Sequence, residues 1–510
     1  MIGNKTDSDR NFGHALPGAI SWAVVTLCVL GTILFPRVWL AIATVFIAYF
    51  IVRMVVTMSF SMYGERKIRL WGRRDFTVGE DVVGPFGFAP ADVRHVVVIP
   101  NYKEPEDILR RTLDGLAAQH RASERVIAVL GMEEREPNAR EKGEALAAEY
   151  AEKLLHVVVT VHPGNIPGEE AGKSSNEAWA ARKSYAWLKE NGLSPEVTTI
   201  TSCDADSVLD PKYFSAVADF FAHDERRQLR FWQAPLFYYN NIWQVPAPIR
   251  FTTWLSHAMQ VAELAMPFFD PLPISTYTLS IQLAERCGWW DPGVIPEDWH
   301  EYLNCMFESG EEIQTTSVFL PTMADATDGE GWRQALNNRF HQVKRHAWGA
   351  EDVGFIYGQL TRRPGTLRKS TIFRFTQVLH DHVMRVASWF FLVSVYVLSA
   401  YYTKIHWYDL NFHYAIVQNL IVLRVLLTMG GAIMIGSIVF ELWRCPPPEG
   451  VSKLRTAAEI FGLWFTLPLL GFYLGTLPAL EAQTRLMFNI PLGYRVTPKR
   501  FASTPVRKPS

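Results

Sequence analysis

Two aspartates one residue apart are the first residues of this chain that could do chemistry. Asp204 and Asp206 stand in the stretch TSCDADSVLDPKYF, directly after the β-branched run at 197–200. At the end of an extended strand, side chains two residues apart can converge on one small volume. Converging carboxylates repel each other unless a cation lies between them, and a divalent cation with oxygen ligands meets that need. The alternative, from these residues alone, is a plain turn, because Asp210-Pro211 is a second turn signal.

A second acidic pair and a polar helix add further candidates. Glu297 and Asp298 stand at the start of GVIPEDWHEYLNCMFESG, whose remainder predicts a helix. Carboxylates at a helix start also complement the helix dipole, so this pair is open to a purely structural interpretation. A second helix is predicted in RFHQVKRHAWGAEDVGF, where Gln342, Arg345 and Trp348 are spaced three apart on roughly one face. Taken alone, that segment is equally compatible with a helix on the membrane surface.

A sheet is needed to position these residues, and four segments predict its strands. They are the β-branched runs in VRHVVVIP, ERVIAVLGMEERE, KLLHVVVTVHPG and VTTITSCDADS. A helix is predicted after the first strand, because apolar residues recur there at helical spacing, at Ile108, Leu109, Leu113 and Leu116. Alternation of strands and helices predicts a mostly parallel sheet whose ligands bind beyond the carboxyl ends of the strands. Three of the four strands end in polar clusters, at 101–104, 133–134 and 204–206. This coincidence favours a nucleotide site over unrelated turns.

Apolar segments flank this polar middle of the chain. Residues 19–35, 38–57, 383–402 and 412–440 each approach or exceed the ~20 residues that a spanning helix needs. Basic segments at 64–74, 361–375 and 443–455 place the middle in the cytoplasm by the positive-inside rule. A last apolar stretch at 460–480 contains two prolines and two glycines. We interpret it as interfacial or re-entrant, which keeps the basic tail inside, and a fifth span is the alternative.

The predicted organisation is that of an integral, multi-pass membrane protein, located in the cell membrane if the source is bacterial. Its parts are an N-terminal cytoplasmic segment (1–18), two transmembrane helices (19–60), a basic linker (61–91), a catalytic domain (92–357), a basic interfacial segment (358–382), C-terminal transmembrane or interfacial helices (383–482) and a basic tail (483–510). The 50 Lys and Arg residues balance 51 Asp and Glu residues, so no nucleic-acid partner is expected. The five scattered cysteines indicate neither a disulfide framework nor a zinc site.

The motifs IPNYKEP, DAD, PED and QVKRHAW follow one another between the membrane segments. In this order they resemble the family 2 inverting glycosyltransferases of the cellulose synthase and hyaluronan synthase kind. The resemblance covers residues 92–357 and the membrane regions in outline. It implies an α/β fold, with a cytoplasmic GT-A domain flanked by transmembrane α-helices. It also implies a nucleotide-sugar donor, preferably a UDP-sugar, and a growing polysaccharide as acceptor in contact with the lipid bilayer.

The resemblance assigns a role to each candidate residue. Asp204 and Asp206 would hold Mg²⁺ or Mn²⁺ together with the donor diphosphate. Asp298 would be the general base that deprotonates the acceptor hydroxyl, and Arg345 would neutralise the departing nucleoside diphosphate. The remaining expected contacts are with the donor (Asn101, Glu104, Glu133 and Lys173) and with the acceptor (Gln342, Trp348 and Glu297).

The sequence departs from the family pattern in several places. His346 follows Arg345 where relatives carry a tryptophan, and Trp348 is expected to supply that ring. Glu133 stands where relatives commonly place an aspartate, which leaves the nucleobase open, and Lys173 could equally be a solvated lysine. The tail segment YRVTPKR resembles the FxVTxKG signature of a mobile loop that closes over the nucleotide.

Two other functions remain open at this point. One is a non-processive transferase that adds a single sugar to a lipid, which the small number of predicted spans favours. The tail motif favours the polysaccharide synthase instead. The other is a non-catalytic membrane scaffold, suggested by His346 and the missing aspartate. The intact Asp204, Asp206 and Asp298 argue against a scaffold.

Overall fold

A computed structural model of the chain describes residues 11–310, 312–405 and 410–492. The segment YRVTPKR and the rest of the tail from residue 493 onward lie outside the described residues, as do residues 1–10 of the N-terminal segment.

Seven strands form the central sheet: β1 (Arg94–Pro100), β2 (Val126–Glu133), β3 (His156–His162), β4 (Thr198–Ser202), β5 (Arg230–Gln233), β7 (Tyr277–Ser280) and β8 (Gln314–Ser317). Their order is β3-β2-β1-β4-β7-β5-β8. Strands β1 to β4 pair in parallel, as predicted, and β7 is antiparallel to both β4 and β5. Two short parallel strands, β6 (Leu236–Phe237) and β9 (Thr322–Met323), form a second sheet.

The helices alternate with these strands and continue on both sides of them in sequence. They are α1 (Phe12–Leu34), α2 (Pro36–Arg73), α3 (Glu106–Ala117), α4 (Ala122–Arg125), α5 (Ala139–Tyr150), α6 (Lys173–Glu190), α7 (Tyr213–His223), α8 (Ala247–Ala265), α9 (Ile281–Arg286), α10 (Glu297–Ser309), α11 (Trp332–Trp348), α12 (Glu351–Arg362), α13 (Lys369–Ile405), α14 (Leu410–Arg444), α15 (Lys453–Gly471) and α16 (Leu477–Met487). The predicted helix at 339–355 is thus two helices, which meet at Gly349 and Ala350.

The central sheet is buried on both faces. Val97 and Ile99 of β1 join one apolar cluster, in which α3 contributes Leu109, Leu113 and Leu116. The alternate residues Val96 and Val98 join a second cluster on the other face, where α6 packs. Because successive side chains of a strand point to opposite faces, helices on both sides are needed to cover β1. The sheet is therefore rigid at the carboxyl ends of its strands, where the polar clusters stand.

Four helices are long and apolar enough to cross a membrane, at Phe12–Leu34, Pro36–Arg73, Lys369–Tyr402 and Gln418–Arg444. By length and composition, these candidate spans agree with the two spans predicted before the sheet domain and the two predicted after it. A further pair, Leu454–Leu463 and Thr466–Met487, is bent by 67° and is either a broken span or a re-entrant segment. The described residues therefore contain four candidate spans, or five if the bent pair crosses.

A buried polar junction connects the membrane helices to the sheet domain. Arg444 of α14 donates from Nε to Oε2 of Glu65 in α2 at 2.9 Å, and from Nη1 to Oε1 of Glu441 at 2.6 Å. The hydroxyl of Tyr239, just after β6, donates to Oε2 of Glu441 at 2.7 Å. All four residues are buried. Such groups are stable in the interior only when they are paired, so each fixes the position of the others.

Candidate active site

One cavity of about 760 Å³ brings together the carboxyl ends of β1, β2 and β4 and side chains of α2, α8, α13 and α14. Of the eleven predicted site residues, ten line it: Asn101, Glu104, Glu133, Lys173, Asp204, Asp206, Glu297, Asp298, Gln342 and Arg345. Trp348 is the exception. Residues more than 200 positions apart in sequence thus face one volume that reaches from the sheet edge to the candidate spans.

Lys173 at the start of α6 occupies the centre of the acidic groups. Its Nζ lies 2.8 Å from Oδ1 of Asp204 and 2.6 Å from Oε1 of Glu297, and it donates to the carbonyl of Ser275 at 2.9 Å. Burial alone would lower the pKa of Lys173, but Asp204, Glu177 and Glu297 raise it well above its usual value. The ammonium group therefore stays charged and holds the acid after β4 and the acid at the start of α10 together.

Asp298 follows Glu297 in the first turn of α10 and is positioned by two backbone amides. Its Oδ2 accepts from the N–H of Ser275 at 3.2 Å, and its Oδ1 accepts from the N–H of Trp299 at 2.9 Å. Burial, and then the neighbouring charge of Glu297, raise the pKa of Asp298 to about 7, against the opposing effect of Lys173 and of the two amides. A carboxyl group with that pKa can exchange a proton near neutral pH, as a general base must.

Asp206 has a different environment from Asp204, although the two are one residue apart. It is buried, and its Oδ2 accepts from the backbone N–H of Asp325 at 3.1 Å. Asp325 in turn accepts at Oδ1 from Nη2 of Arg111 at 2.7 Å. Burial and the charge of Asp206 raise the pKa of Asp325. Asp325 also lines the cavity, so a third carboxylate accompanies the predicted pair.

The residues at this end of the cavity fit a divalent cation that a ligand helps to hold. Asp204 and Asp206 present oxygen atoms, which are the ligands that Mg²⁺ and Mn²⁺ accept. Within the described ranges, however, no group of three or more His, Cys, Asp or Glu side chains is placed to hold a metal ion. Phosphate oxygens of a donor would have to complete the coordination, as is usual for Mg²⁺. Without a donor, Lys173 supplies the positive charge beside Asp204.

At the other side of the sheet edge, acidic and aromatic groups form a separate part of the wall. Glu133 is buried and binds Nη2 of Arg135 at 2.8 Å, and the guanidinium of Arg135 lies over the ring of Tyr102 at 4.8 Å. Asn101 donates to Glu136, while its own Oδ1 is buried without a hydrogen-bond partner among the described residues. The ring of Tyr102 could stack on a nucleobase, and Oδ1 of Asn101 could accept a hydrogen bond from it.

Helix α11 presents Gln342, Arg345 and His346 to the cavity, together with Arg339. Oε1 of Gln342 accepts from Nη1 of Arg339 and from the hydroxyl of Thr327, both at 2.6 Å. The side chain of His346 is accessible from the cavity. The surrounding domain keeps most bulk water away from it, and this desolvation, followed by the positive charge of Arg345, lowers the pKa of His346 well below its usual value. The imidazole is therefore neutral at physiological pH.

The predicted placement of Trp348 beside the acceptor is corrected by the structure. An α-helix turns by about 100° per residue, so Trp348 points away from the face shared by Gln342 and His346. Its side chain is buried in an apolar cluster with Val25, Leu480 and other residues of α1 and α16. The ring beside Arg345 is the imidazole of His346 instead.

Asp325 is not predictable from the sequence, because the strand before it is too short to be recognised. Asp325 follows β9, as Asp204 follows β4, but β9 has only the residues Thr322 and Met323. An acid soon after a short apolar run was the only available signal. Ser275 and Arg135 stand in no motif that assigned them a role, and Tyr102 lies within IPNYKEP without one.

Nearly half of the chain matches the model of a known protein family. Residues 199–439 match the family model described as Glycosyl transferase family group 2. The chain carries a family 2 glycosyltransferase domain. The matched segment runs from β4 into α14 and contains Asp204, Asp298 and Arg345. The mixed sheet with flanking long apolar helices is GT-A-like, which confirms the predicted fold class; the resemblance to cellulose and hyaluronan synthases within the family stays a prediction.

Several solved structures are similar to the chain at low identity. The mannosyltransferase PcManGT from Pyrobaculum calidifontis in complex with GDP-Man and Mn²⁺ is 15% identical, with a TM-score of 0.41, over 79% of this chain and 99% of that one. S. aureus TarS 1-349 is 11% identical, with a TM-score of 0.30, over 66% and 90%. GalNAc-T7 with UDP, GalNAc and Mn²⁺ is 12% identical, with a TM-score of 0.32, over 61% and 58%. At these TM-scores the similarities support no argument about the site. No match was found among curated proteins.

Proposed function

We propose that this family 2 domain transfers a sugar, with inversion, from a nucleotide sugar to a hydroxyl group of an acceptor that enters from the membrane side. One observation carries the proposal. Asp298 and the ion pair of Lys173 with Asp204 line the same cavity, whose opposite wall consists of α2, α13 and α14. A donor at the sheet edge and an acceptor among the helices would therefore meet at Asp298.

Asp298 is the proposed general base. An acceptor hydroxyl is a weak nucleophile at neutral pH, and a carboxylate within hydrogen-bond reach removes its proton as the new bond forms. The hydroxyl oxygen then bonds to the anomeric carbon, while the bond from that carbon to the diphosphate oxygen breaks. Because attack comes from the face opposite the leaving group, the configuration of the anomeric carbon inverts. Asp298 retains the proton until it exchanges with water.

The leaving nucleoside diphosphate is stabilised by positive charge. Arg345 and Lys173 line the cavity, and both can pair with diphosphate oxygens as negative charge develops there. Asp204 and Asp206 would hold Mg²⁺ or Mn²⁺ against the same diphosphate, and the ion would supply further charge neutralisation when bound. Asn101, Glu104 and Glu133 are the proposed contacts to the rest of the nucleotide.

The acceptor predicted from the resemblance is a growing polysaccharide. A second candidate, a single sugar transfer to a lipid, is favoured by the membrane-side wall of the cavity. Among its described residues, that wall carries four methionines, Met54, Met58, Met384 and Met434, but only one aromatic ring besides histidine, that of Phe50. Methionine adapts to flexible apolar chains, whereas sugar faces are usually bound by aromatic rings.

The sheet domain is proposed to lie on the cytoplasmic side, where nucleotide sugars are made. The basic segments at 64–74 and 361–375 support this orientation through the positive-inside rule. Single cysteines placed at Ser452 and Arg362 of a cysteine-free chain should resist a membrane-impermeant thiol reagent in intact cells. Ready labelling of both positions would reverse the orientation.

The decisive experiment is turnover of the purified full chain in lipid nanodiscs. A panel of UDP- and GDP-sugars is supplied with Mg²⁺ or Mn²⁺, and the products are separated by size and by partition into organic solvent. Asp298→Asn serves as the inactive control. Transfer that this variant lacks supports the proposal. Nucleotide-sugar binding without any transfer, to lipid or to oligosaccharide, would instead identify the chain as a non-catalytic scaffold.

A further inference from the structure

The membrane-side wall of the cavity contains an arginine whose charge no described residue pairs. Arg385 of α13 is exposed, and the space that it faces is the cavity. Among the described residues, none forms a hydrogen bond or an ion pair with its guanidinium group. The carboxylates of Asp381, Glu263 and Asp298 influence it only through space. An arginine held at a cavity wall without a direct partner suits an anionic ligand.

Arg53 of α2 lines the same cavity, and among the described residues no carboxylate forms an ion pair with it; Glu263 influences it only through space. Its Nη1 is 3.5 Å from Nε2 of His380, a distance at the limit of a hydrogen bond. The same histidine nitrogen is 2.7 Å from the hydroxyl of Tyr49, and the other ring nitrogen lies 3.0 Å from Oδ1 of Asp381. Asp381 is therefore engaged by His380, and the guanidinium group of Arg53 remains available to a ligand.

The acidic residues of this wall do not cancel the two arginines. Glu263 of α8 and Asp381 are the carboxylates that line this part of the cavity. Burial, and then the charge of Asp381, raise the pKa of Glu263 to about 7 against the opposing effects of Arg53 and Arg385, so Glu263 is partly protonated at neutral pH. The wall thus carries a net positive charge between the methionines and Asp298.

We infer that the acceptor is an anionic phospholipid with a hydroxylated headgroup, whose phosphodiester is bound by Arg53 and Arg385. This inference rests on the proposed function and names its acceptor class. A guanidinium group can bind two phosphate oxygens at once, which gives both affinity and orientation. The acyl chains would lie against the methionines of α2, α8, α13 and α14. A neutral sugar chain or a diacylglycerol would bring no anion to the two guanidinium groups.

The position of Arg385 explains how the headgroup reaches the reaction centre. Its guanidinium is within electrostatic range of Asp298, Glu263 and Asp381, and it lines the same cavity as Asp298 and Met384. A phosphodiester bound there directs the headgroup hydroxyl towards Asp298. That hydroxyl loses its proton to Asp298 and bonds to the anomeric carbon, while the nucleoside diphosphate departs with the electron pair of the broken bond. The phosphodiester itself is unchanged.

The test uses the full chain in phosphatidylcholine nanodiscs that contain either phosphatidylglycerol or diacylglycerol. Sugar transfer to lipid and retention of each lipid by mass spectrometry are measured for wild type, Arg53→Gln, Arg385→Gln and Arg385→Lys. Arg424→Gln is the matched control, because Arg424 belongs to the candidate span of α14 and does not line the cavity. Equal melting temperatures verify that the variants are folded, and Arg385→Lys keeps the charge if Arg385→Gln does not fold.

We expect phosphatidylglycerol to be retained and glycosylated and diacylglycerol to be neither. Each glutamine variant should raise the KM for phosphatidylglycerol about ten-fold or more, since a hydrogen bond to a charged group is lost. Nucleoside diphosphate binding should be unchanged, Arg385→Lys should recover part of the loss, and Arg424→Gln should match wild type. Free inorganic phosphate should not compete at millimolar concentration.

Several results would overturn this inference. Diacylglycerol accepted as well as phosphatidylglycerol would remove the role of the phosphate. Weakened UDP or GDP binding with unchanged lipid retention would assign the arginines to the donor, and competition by inorganic phosphate would indicate a site for a free anion. Transfer to oligosaccharide without arginine-dependent lipid retention would sink the inference and leave the proposed function intact. If the lipid is retained in an arginine-dependent way but no sugar is transferred, the lipid site is supported and the proposed function is contradicted.

Discussion

The Nζ atom of Lys173 lies 2.8 Å from Oδ1 of Asp204 and 2.6 Å from Oε1 of Glu297, so one ammonium group joins the acid after β4 to the acid at the start of α10. The side chains of Lys173 and Glu297 are only 16% and 8% exposed, so water screens this contact weakly. The same lysine therefore has two duties, to hold the two walls of the site in register and to offset their negative charge.

Replacing Lys173 by methionine should destabilise the protein and disable the site. The carboxylate of Glu297 would stay buried without its partner, which costs on the order of 3–5 kcal/mol for a buried pair. Thermal unfolding of the detergent-solubilised protein measures the loss. Lys173→Arg keeps the charge and is the control. A melting temperature of Lys173→Met equal to that of wild type would show that the ion pair contributes nothing.

Removal of divalent cations should abolish sugar transfer. Asp204 and Asp206 present oxygen ligands but no third protein ligand in the described residues, so the ion should bind weakly without the donor and tightly with it. Calorimetry with Mn²⁺, in the presence and absence of a nucleoside diphosphate, measures this coupling. Asp206→Asn, which can still accept the N–H of Asp325, should lose the coupling and remain folded. Full activity in excess EDTA would contradict the prediction.

Asp298→Asn should reduce transfer by roughly 10²–10⁴-fold, because the variant keeps the shape of the side chain and loses its basicity. Binding of the nucleoside diphosphate should be nearly unchanged. The matched control is Glu301→Gln on the same helix, since Glu301 is buried and does not line the cavity. If Glu301→Gln is as inactive as Asp298→Asn, the loss reflects helix stability rather than the removal of a base.

The rate of transfer should rise with pH through about 7. Burial and Glu297 raise the pKa of Asp298 to about 7, and only the deprotonated carboxylate can accept the proton of the hydroxyl. Activity is therefore low below that pH and reaches a plateau above it. The profile of kcat against pH, at saturating donor and metal, checks this. The sign is decisive, because a rate that falls as the pH rises through 7 would require Asp298 to act as an acid.

His346→Ala and Trp348→Ala should fail in different ways. His346 faces the cavity, so its loss should raise the KM for the acceptor while the melting temperature changes little. Trp348 is only 4% exposed within an apolar cluster, so its truncation should cost about 3–5 kcal/mol of stability. Acceptor titrations and thermal unfolding of both variants separate the two effects. Loss of acceptor affinity in a fully stable Trp348→Ala protein would restore the first placement of the ring.

Local patterns were enough to predict most of the scaffold. The β-branched runs that became β1 to β4, the apolar spacing of α3 and the membrane helices all express local hydrophobic periodicity, which the sequence displays directly. The antiparallel strand β7 and the short strands β6 and β9 could not be predicted, because their pairing depends on long-range contacts.

Site residues could be predicted where they stand at the end of a strand or the start of a helix. They could not be predicted where tertiary contacts determine which way a side chain points. Asp204, Asp206 and Asp298 follow from their positions at element ends. The face of Trp348, by contrast, depends on α1 and α16, whose apolar side chains cover it. The role of Lys173 was equally undecided in the sequence, since only the folded chain brings the three acids around it together.

The contact between Glu65 and Arg444 also has a consequence for how the protein is made. The two residues are 379 positions apart, on helices that precede and follow the sheet domain in the chain. During synthesis the sheet domain leaves the ribosome before α14 exists, so Glu65 lacks Arg444 until α14 has been made, although Arg69 on its own helix pairs with it at 3.2 Å. A nascent chain that stalls before α14 would keep Glu65 paired only with Arg69 and would leave Tyr239 without its partner Glu441. The junction between the sheet domain and the long apolar helices is therefore completed only when α14 has been synthesised.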